Sequence, residues 1–327
     1  MAINLCPAHA LVLYCEVMRA VASAPGKVIL FGEHAVVYGR PAIAVPVTQV
    51  CARAEAEPGE PGRGLVLVAA DVGLTVPLAQ APADDPLATI ARLTLDYLGV
   101  ASAPDAVITV RSTIPIASGM GSGAAVSTAI ARVLAALLGR PLTAGETSAL
   151  VFEVEKLYHG TPSGIDNTVV AHERPVYFVK GEPPQPFPIA RPFTLAIADT
   201  GIASPTKIVV DDVRRAWQAN PAPYERLFDR IGAIAQAARQ AMEVGNVAAL
   251  GPLMDENQRL LQDLGVSSPE LDRLAAAARA AGAWGAKLSG AGRGGNLIAL
   301  IPPAQAALIG AALQGAGAKS VIVTQVG

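Results

Sequence analysis

Aromatic residues make up only 4% of this 327-residue chain and charged residues only 16%, where about 25% charged is usual. The first shortage argues against a platform for stacked bases of single-stranded nucleic acid. The second leaves few side chains for chemistry, so a charge in an odd setting is informative. Neither sign dominates. A net charge of -2 excludes the basic field that draws nucleic acid or anionic lipid. Cys6, Cys15 and Cys51 are the three cysteines; they form neither a disulfide framework nor a metal knuckle, which fits a reducing compartment. No apolar run reaches the about 18 residues that a membrane span needs. The opening LCPAHALVLYCEVM resembles a signal h-region faintly, but no positive segment precedes it and Glu16 interrupts it before any cleavage site. A cytoplasmic protein that binds neither nucleic acid nor membrane is expected.

What is present is core. An apolar fraction of 52% supports sizeable interiors, and the length predicts two domains. No solenoid-length repeat is visible. Val, Ile and Phe cluster between Gly and Pro in KVILFGEHAVVYGRPAIAVPVTQVCARAEA, which predicts strands. EPGEPGRG (57–64) reads as a loop, DAVITVRSTI (105–114) as a strand, and 124–139 and 143–160 as helices. In GEPPQPFPIARP (181–192) five prolines forbid regular hydrogen bonding and mark a boundary. Beyond it lie a strand (FTLAIADTG), Ala-rich helices, a strand at NLIALI, a helix over 303–315 and a last strand, KSVIVTQ. Strands separated by helices predict an α+β domain with helices on one face of a sheet. Two domains meeting at such a seam frame a cleft suited to a small molecule.

Two glycine-rich stretches stand out. PIASGMGSGAA (115–125) joins a predicted strand to a helix, where backbone N–H groups point outward and partial positive charge accumulates. Gly119, Gly121 and Gly123 let the backbone approach an anion closely. No Lys follows Gly123, so this is not a P-loop, and a tight strand-to-helix connection is the plainer alternative. KLSGAGRGGNLIAL (287–300) contains G-x-G-x-x-G at Gly290, Gly292 and Gly295. A strand follows it where a dinucleotide fingerprint needs a helix, which rejects Rossmann binding. A hairpin tip remains, either structural or lining a ligand.

Among the charges, Lys27 precedes VILF and either snorkels to the surface or faces a site. His34 alone is more often a structural histidine than a catalyst. Asp166, in the turn-rich YHGTPSGIDN, could be an N-cap. Glu155 lies on the preceding helix, whereas Glu153 points about 200° away from it. Two carboxylates converging beside a phosphate loop would hold Mg²⁺ and orient a hydroxyl nucleophile. Together these features form a kit for phosphoryl transfer.

APGKVILFGEHAVVYG, PIASGMGSGAA, HGTPSGIDN and KLSGAGRGG, in this order and spacing, resemble the motifs of the GHMP kinases. Within them, GEHAVVYG and EKLYHGTPSGIDN are most similar to the mevalonate kinases. The resemblance covers the chain from about residue 20. It implies an α+β, two-domain fold: an N-terminal domain like ribosomal protein S5 domain 2 (19–185), which binds ATP, and a ferredoxin-like C-terminal domain (186–327). Residues 1–18 are left as an extension. ATP and mevalonate would occupy the cleft, with Mg²⁺ as cofactor, and the family suggests a homodimer.

By the same resemblance Asp166 matches the catalytic acid that takes the proton of the mevalonate C5 hydroxyl, and Lys27 the lysine paired with it. Glu33, His34 and Thr206 match substrate-binding positions. Ser118, Gly119, Met120, Gly121, Ser122 and Gly123 match the ATP phosphate loop, and Gly290, Ala291 and Gly292 line the site beside it. Glu155 and Ser122 match metal ligands. Two departures bear on this. The family's loop usually reads G-L-G-S-S, and Gly123 stands where the second serine is usual; if that serine is the ligand, Mg²⁺ depends on Glu155, ATP oxygens and water. Arg293 and Asn296 replace the more usual Gly and Cys, and Arg293 either contacts phosphate or is solvated. The alternatives are another small-molecule kinase of this superfamily, acting on phosphomevalonate or a sugar, and a non-catalytic nucleotide sensor on the same fold.

Overall fold

The KVILF run ends β1 (Ala20–Phe31), which passes through a 3-10 turn (Ala35–Tyr38) into β2 (Ala42–Pro58). They belong to a computed structural model that describes residues 19–115, 118–159, 162–204 and 206–327. The 1–18 extension lies outside the described residues. β1 and β2 pair antiparallel with an irregular register. Pro25 faces Cys51 and Gly26 faces Val47, leaving Thr48, Gln49 and Val50 looped out of β2. Such a bulge bends the strand and re-aims the side chains beside it. Lys27 is the next residue on β1.

The first lobe continues with β3 (Leu65–Ala69), β4 (Leu74–Pro77), α1 (Pro86–Tyr97), β5 (Ala106–Ser112), α2 (Ser122–Leu137), α3 (Ala144–His159), α4 (Ile165–His172), β6 (Val176–Phe178) and β7 (Gln185–Pro186). Its strands run β4-β3-β5-β2-β6-β7, with β1 on β2. Only β3 and β5 pair parallel. α2 packs on β1 and β2, and its Ala125, Ala129, Ile130, Val133 and Leu134 are buried in the same core cluster as residues of both strands.

The second lobe holds β8 (Phe193–Asp199), α5 (Thr206–Ala219), α6 (Pro221–Glu243), α7 (Val247–Asp263), α8 (Pro269–Ala280), β9 (Gly285–Ser289), β10 (Asn296–Ile301), α9 (Ala306–Gly315) and β11 (Ser320–Val326). Its antiparallel sheet runs β11-β8-β10-β9. NLIALI reads as a continuous apolar run because both faces of β10 are covered. Ile298 and Leu300 join the core cluster of the first lobe, whereas Leu297, Ala299 and Ile301 join a second cluster with residues of α8 and α9. The first cluster therefore runs unbroken from Val28 and Leu134 to Leu195 and Leu300.

The proline-rich segment departs from expectation. Gln185 and Pro186 pair with β6 as an edge strand, a place where proline is tolerated because its missing N–H faces outward. The expected boundary between 185 and 186 thus falls inside β7. Phe187 and Phe193, on either side of the crossing segment, both enter the shared core.

Candidate active site

The bulge in β2 leaves the Lys27 N–H free to bond across to the Met120 carbonyl at 3.0 Å. That bond ties β1 to the loop before α2. In the same loop Gly121 caps α2 in the left-handed conformation (φ 73°), and no side chain caps the helix. A Cβ at Gly121 would sit 2.9 Å from Lys27 Cγ, so only glycine lets the lysine stem lie on this turn. The first turn of α2 thereby presents uncapped N–H groups next to a buried ammonium, an arrangement suited to an anion.

Lys27 Nζ meets Asp166 Oδ1 at 2.9 Å; the lysine side chain is 6% exposed and the aspartate 32%. Asp166 does not cap its helix. α4 starts one residue earlier, at Ile165, and Gly164 in the left-handed region is the cap (φ 87°). The acid is instead the second residue of α4, with an open side toward solvent. Glu155 approaches from α3: its Oε1 lies 3.5 Å from the position of a Cβ on Gly123, and the residue is 5% exposed. Burial, reinforced by the negative charge of Asp166 and opposed by Lys27, pushes its carboxyl up to about 7. Glu153, on the other side of α3, is exposed and pairs with Lys156.

A buried carboxylate destabilised by a second acid is a donor set that a cation relieves, so Glu155 fits Mg²⁺. Ser122, the first residue of α2, stands next to Gly123 with its side chain partly exposed. Among the described residues there is no group of three or more His, Cys, Asp and Glu side chains able to hold a metal by itself.

The remaining expected residues fall into two groups. His34 joins the site's back wall. It holds a left-handed backbone (φ 60°), and its Nε2 lies 2.9 Å from the Ala291 carbonyl. A carbonyl only accepts, so Nε2 carries the proton and Nδ1 is an acceptor; it is buried without a partner. Burial, aided by the charge of Arg293, lowers its pKa to about 4. The ring is neutral near pH 7. Ser118 is tied at both ends, its Oγ donating to the Pro115 carbonyl at 2.8 Å and its own carbonyl accepting from Asn296 Nδ2 at 2.5 Å. Met120 is buried in the first core. A side chain on Gly119 or Gly290 would meet nothing within 4 Å, so both face open space.

One residue is not placed as the motifs implied. Glu33 has no exposed side-chain surface; its Oε1 is engaged by Lys287, itself wholly buried, so substrate cannot touch it in this arrangement. At Gly292 a Cβ would lie 2.0 Å from the Val266 carbonyl, so only glycine fits there. Thr206 begins α5 at an exposed position, its N–H donating to Ser204 O at 2.9 Å. The Arg293 guanidinium pairs with Asp212 at 2.5 Å and donates to the Gly265 carbonyl. Lys287 and Ser289, whose Oγ donates to Ile29 O at 2.8 Å, are partners that motif reading passed over, and Asn296 was noted there only as a departure. A lysine inside the buried apolar strand GAKLS was the available signal. Two cavities, of about 480 and 400 Å³, flank this constellation without containing Lys27 or Asp166.

Family models for GHMP kinases match the chain twice, the N terminal domain over residues 87–173 and the C terminal domain over 234–319. The chain belongs to the GHMP kinases. Its curated relatives include proteins named mevalonate kinase. That of Thermococcus sibiricus is 35% identical over 324 residues, covering 93% of this chain and 96% of that protein. That of Aeropyrum pernix is 37% identical over 290 residues, with 86% and 88% covered. Among solved structures, L. major mevalonate kinase in complex with R-mevalonate superposes with a TM-score of 0.80 at 32% identity, covering 94% of this chain and 95% of the other. No helix among the described residues is long and apolar enough to cross a membrane.

Proposed function

We propose that the chain transfers the terminal phosphoryl group of ATP to the C5 hydroxyl of mevalonate, yielding mevalonate 5-phosphate and ADP. The observation that carries this reading is the 2.9 Å pair of Lys27 and Asp166, seated against an uncapped helix N-terminus. The names of the full-length relatives support the choice of acceptor.

In this reading the N–H groups at the start of α2 and the open backbone at Gly119 hold the nucleotide's phosphates. Asp166 accepts the proton of the C5 hydroxyl as its oxygen forms a bond to the terminal phosphorus and the bond to ADP breaks. Lys27 fixes the orientation of that carboxylate and lies near the charge that moves. Little covalent work falls to the protein, and positioning supplies most of the acceleration. Glu155 would hold Mg²⁺, with Ser122 beside it, and an ion bound there would neutralise phosphate charge. His34, through its unpaired Nδ1 acceptor, and Thr206, exposed at the start of α5, would contact the mevalonate, as the motif match implies. Glu33 supports the wall from behind. The enzyme works in the cytoplasm and, by family resemblance, as a homodimer.

The test is ATP turnover against mevalonate, mevalonate 5-phosphate, galactose and homoserine with the full chain. Mevalonate alone should raise ADP release above background. Preference for another acceptor replaces the substrate assignment, and no acceptor-dependent release at all favours a nucleotide sensor.

A further inference from the structure

The pair of Lys287 and Glu33 is unlike the other ion pairs between described residues, because neither side chain exposes any surface. It joins residues 254 positions apart, Glu33 just after β1 in one lobe and Lys287 in the middle of β9 in the other. Burial pushes the Glu33 carboxyl up and the Lys287 ammonium down, against their mutual attraction. Buried pairs of this kind are often replaceable by apolar side chains without loss of stability. Stability alone is therefore a weak reason for a pair at this place, and what it holds in place becomes the question.

Three neutral hydrogen bonds run alongside it. Ser289 Oγ donates to Ile29 O at 2.8 Å, His34 Nε2 to Ala291 O at 2.9 Å, and Asn296 Nδ2 to Ser118 O at 2.5 Å. With the bond from Lys27 N–H to Met120 O they close a ring: β1, phosphate loop, β10, β9 and back to β1. Lys287 also donates to Leu288 O at 2.7 Å, which holds its ammonium to the strand. The pair is the one charged link in this ring, and it sits where β9 passes the turn that carries His34.

We propose that Lys287 is a positioning residue for phosphoryl transfer: held on Glu33 between the lobes, it sets the glycine loop at 290–295 against the strand bearing Lys27. This rests on the reading of the site given above. Lys287 touches no reacting atom. It acts through Glu33 and the His34 turn on one side, and through β9 on Gly290, which faces open space.

The experiment compares Lys287→Met and the double variant Glu33→Gln/Lys287→Met with the parent, reading melting midpoint, kcat and the KM values for ATP and mevalonate. Lys287→Met leaves a carboxylate buried and unpaired and should melt well below the parent. The double variant removes both charges and should recover most of the midpoint. If the pair positions the loop, the recovered variant still loses kcat by roughly tenfold or more while its KM for mevalonate stays within about threefold. A double variant with parent midpoint and parent kcat overturns the proposal. Failure of both variants to fold assigns the pair to stability and overturns it equally. A large rise confined to KM for mevalonate would instead make Glu33 a substrate contact and also refute it. An inactive parent would defeat the reading of the site, which separates that failure from this one.

Discussion

Gly121→Ala probes how tightly the phosphate loop is packed on the proposed catalytic lysine. The new Cβ would lie 2.9 Å from Lys27 Cγ and 3.2 Å from its Cε, whereas apolar carbons rest at roughly 3.5–4.0 Å. Lys27 is 5% exposed and has little room to retreat, so its stem must shift by about 0.6 Å or the loop must lift. The backbone is left-handed here (φ 73°), which costs a non-glycine residue roughly 1–2 kcal/mol. Two neighbours act as controls. Gly119 shares the positive φ (75°) but has nothing within 4 Å, so alanine there adds backbone strain alone and obstructs whatever occupies the open side. Gly123 lies inside α2 with its nearest neighbour at an ordinary 3.5 Å, where alanine favours the helix by up to about 1 kcal/mol. Thermal unfolding and a coupled assay of ADP release should then separate the three. Gly121→Ala loses about 1–2 kcal/mol and roughly 10–100-fold in kcat. Gly119→Ala loses about 1 kcal/mol with its main kinetic effect on KM for ATP, and Gly123→Ala is at least as stable as the parent. A Gly121→Ala enzyme with parent kcat would refute the idea that this contact positions Lys27 for chemistry.

Other perturbations follow from the same geometry. His34 has a folded pKa near 4 against 6.5 unfolded, so its contribution is complete above pH 6.5 and is lost as pH falls toward 4. Glu155 titrates with the opposite sign over much of this range, so the measure is the stability difference between parent and His34→Gln. That difference should shrink by about 2 kcal/mol between pH 7 and pH 5, and a pH-independent difference contradicts a buried neutral His34. Glu155→Gln removes a destabilised carboxylate and should abolish Mg²⁺-dependent turnover. In urea unfolding at pH 8 without metal it should leave the protein as stable as the parent or more so, by up to about 3 kcal/mol; a mutant that is both active and less stable opposes the metal assignment. Arg293→Gly relieves a left-handed arginine (φ 53°) and breaks a half-exposed pair, two effects of about 1 kcal/mol and opposite sign. KM for ATP should change less than about twofold, since Arg293 faces Asp212; a tenfold rise would place its guanidinium on phosphate.

How far the site was legible in sequence depended on distance along the chain. The uncapped start of α2 could be read locally, because a strand, a glycine run and an amphipathic helix meet within PIASGMGSGAA. The β9–β10 hairpin tip was legible for the same reason: NLIALI forbade a helix after the glycines. That Lys27 meets Asp166 across 139 residues (166 − 27) followed only from motif resemblance, since no local pattern encodes a tertiary contact. Glu33 shows the limit of that resemblance. Sharing a motif with His34 suggested a shared role, yet the chain turns between them and buries Glu33 against a lysine 254 residues away. The proline-rich stretch misled differently: its prolines forbid a central strand but not the two-residue edge pairing of Gln185 and Pro186. α1 was overlooked although Asp85 and Pro86 announce it, the Asp85 carboxylate accepting from the Ala88 N–H at 2.8 Å.

The most direct measurement is the kcat of Asp166→Asn, a substitution that keeps the size of the side chain while removing its charge and its capacity to take a proton. The variant should bind ATP as the parent does and turn over mevalonate slower by a factor on the order of 10²–10⁴. Turnover within a few-fold of the parent would mean that the carboxylate facing Lys27 is not where the hydroxyl proton goes.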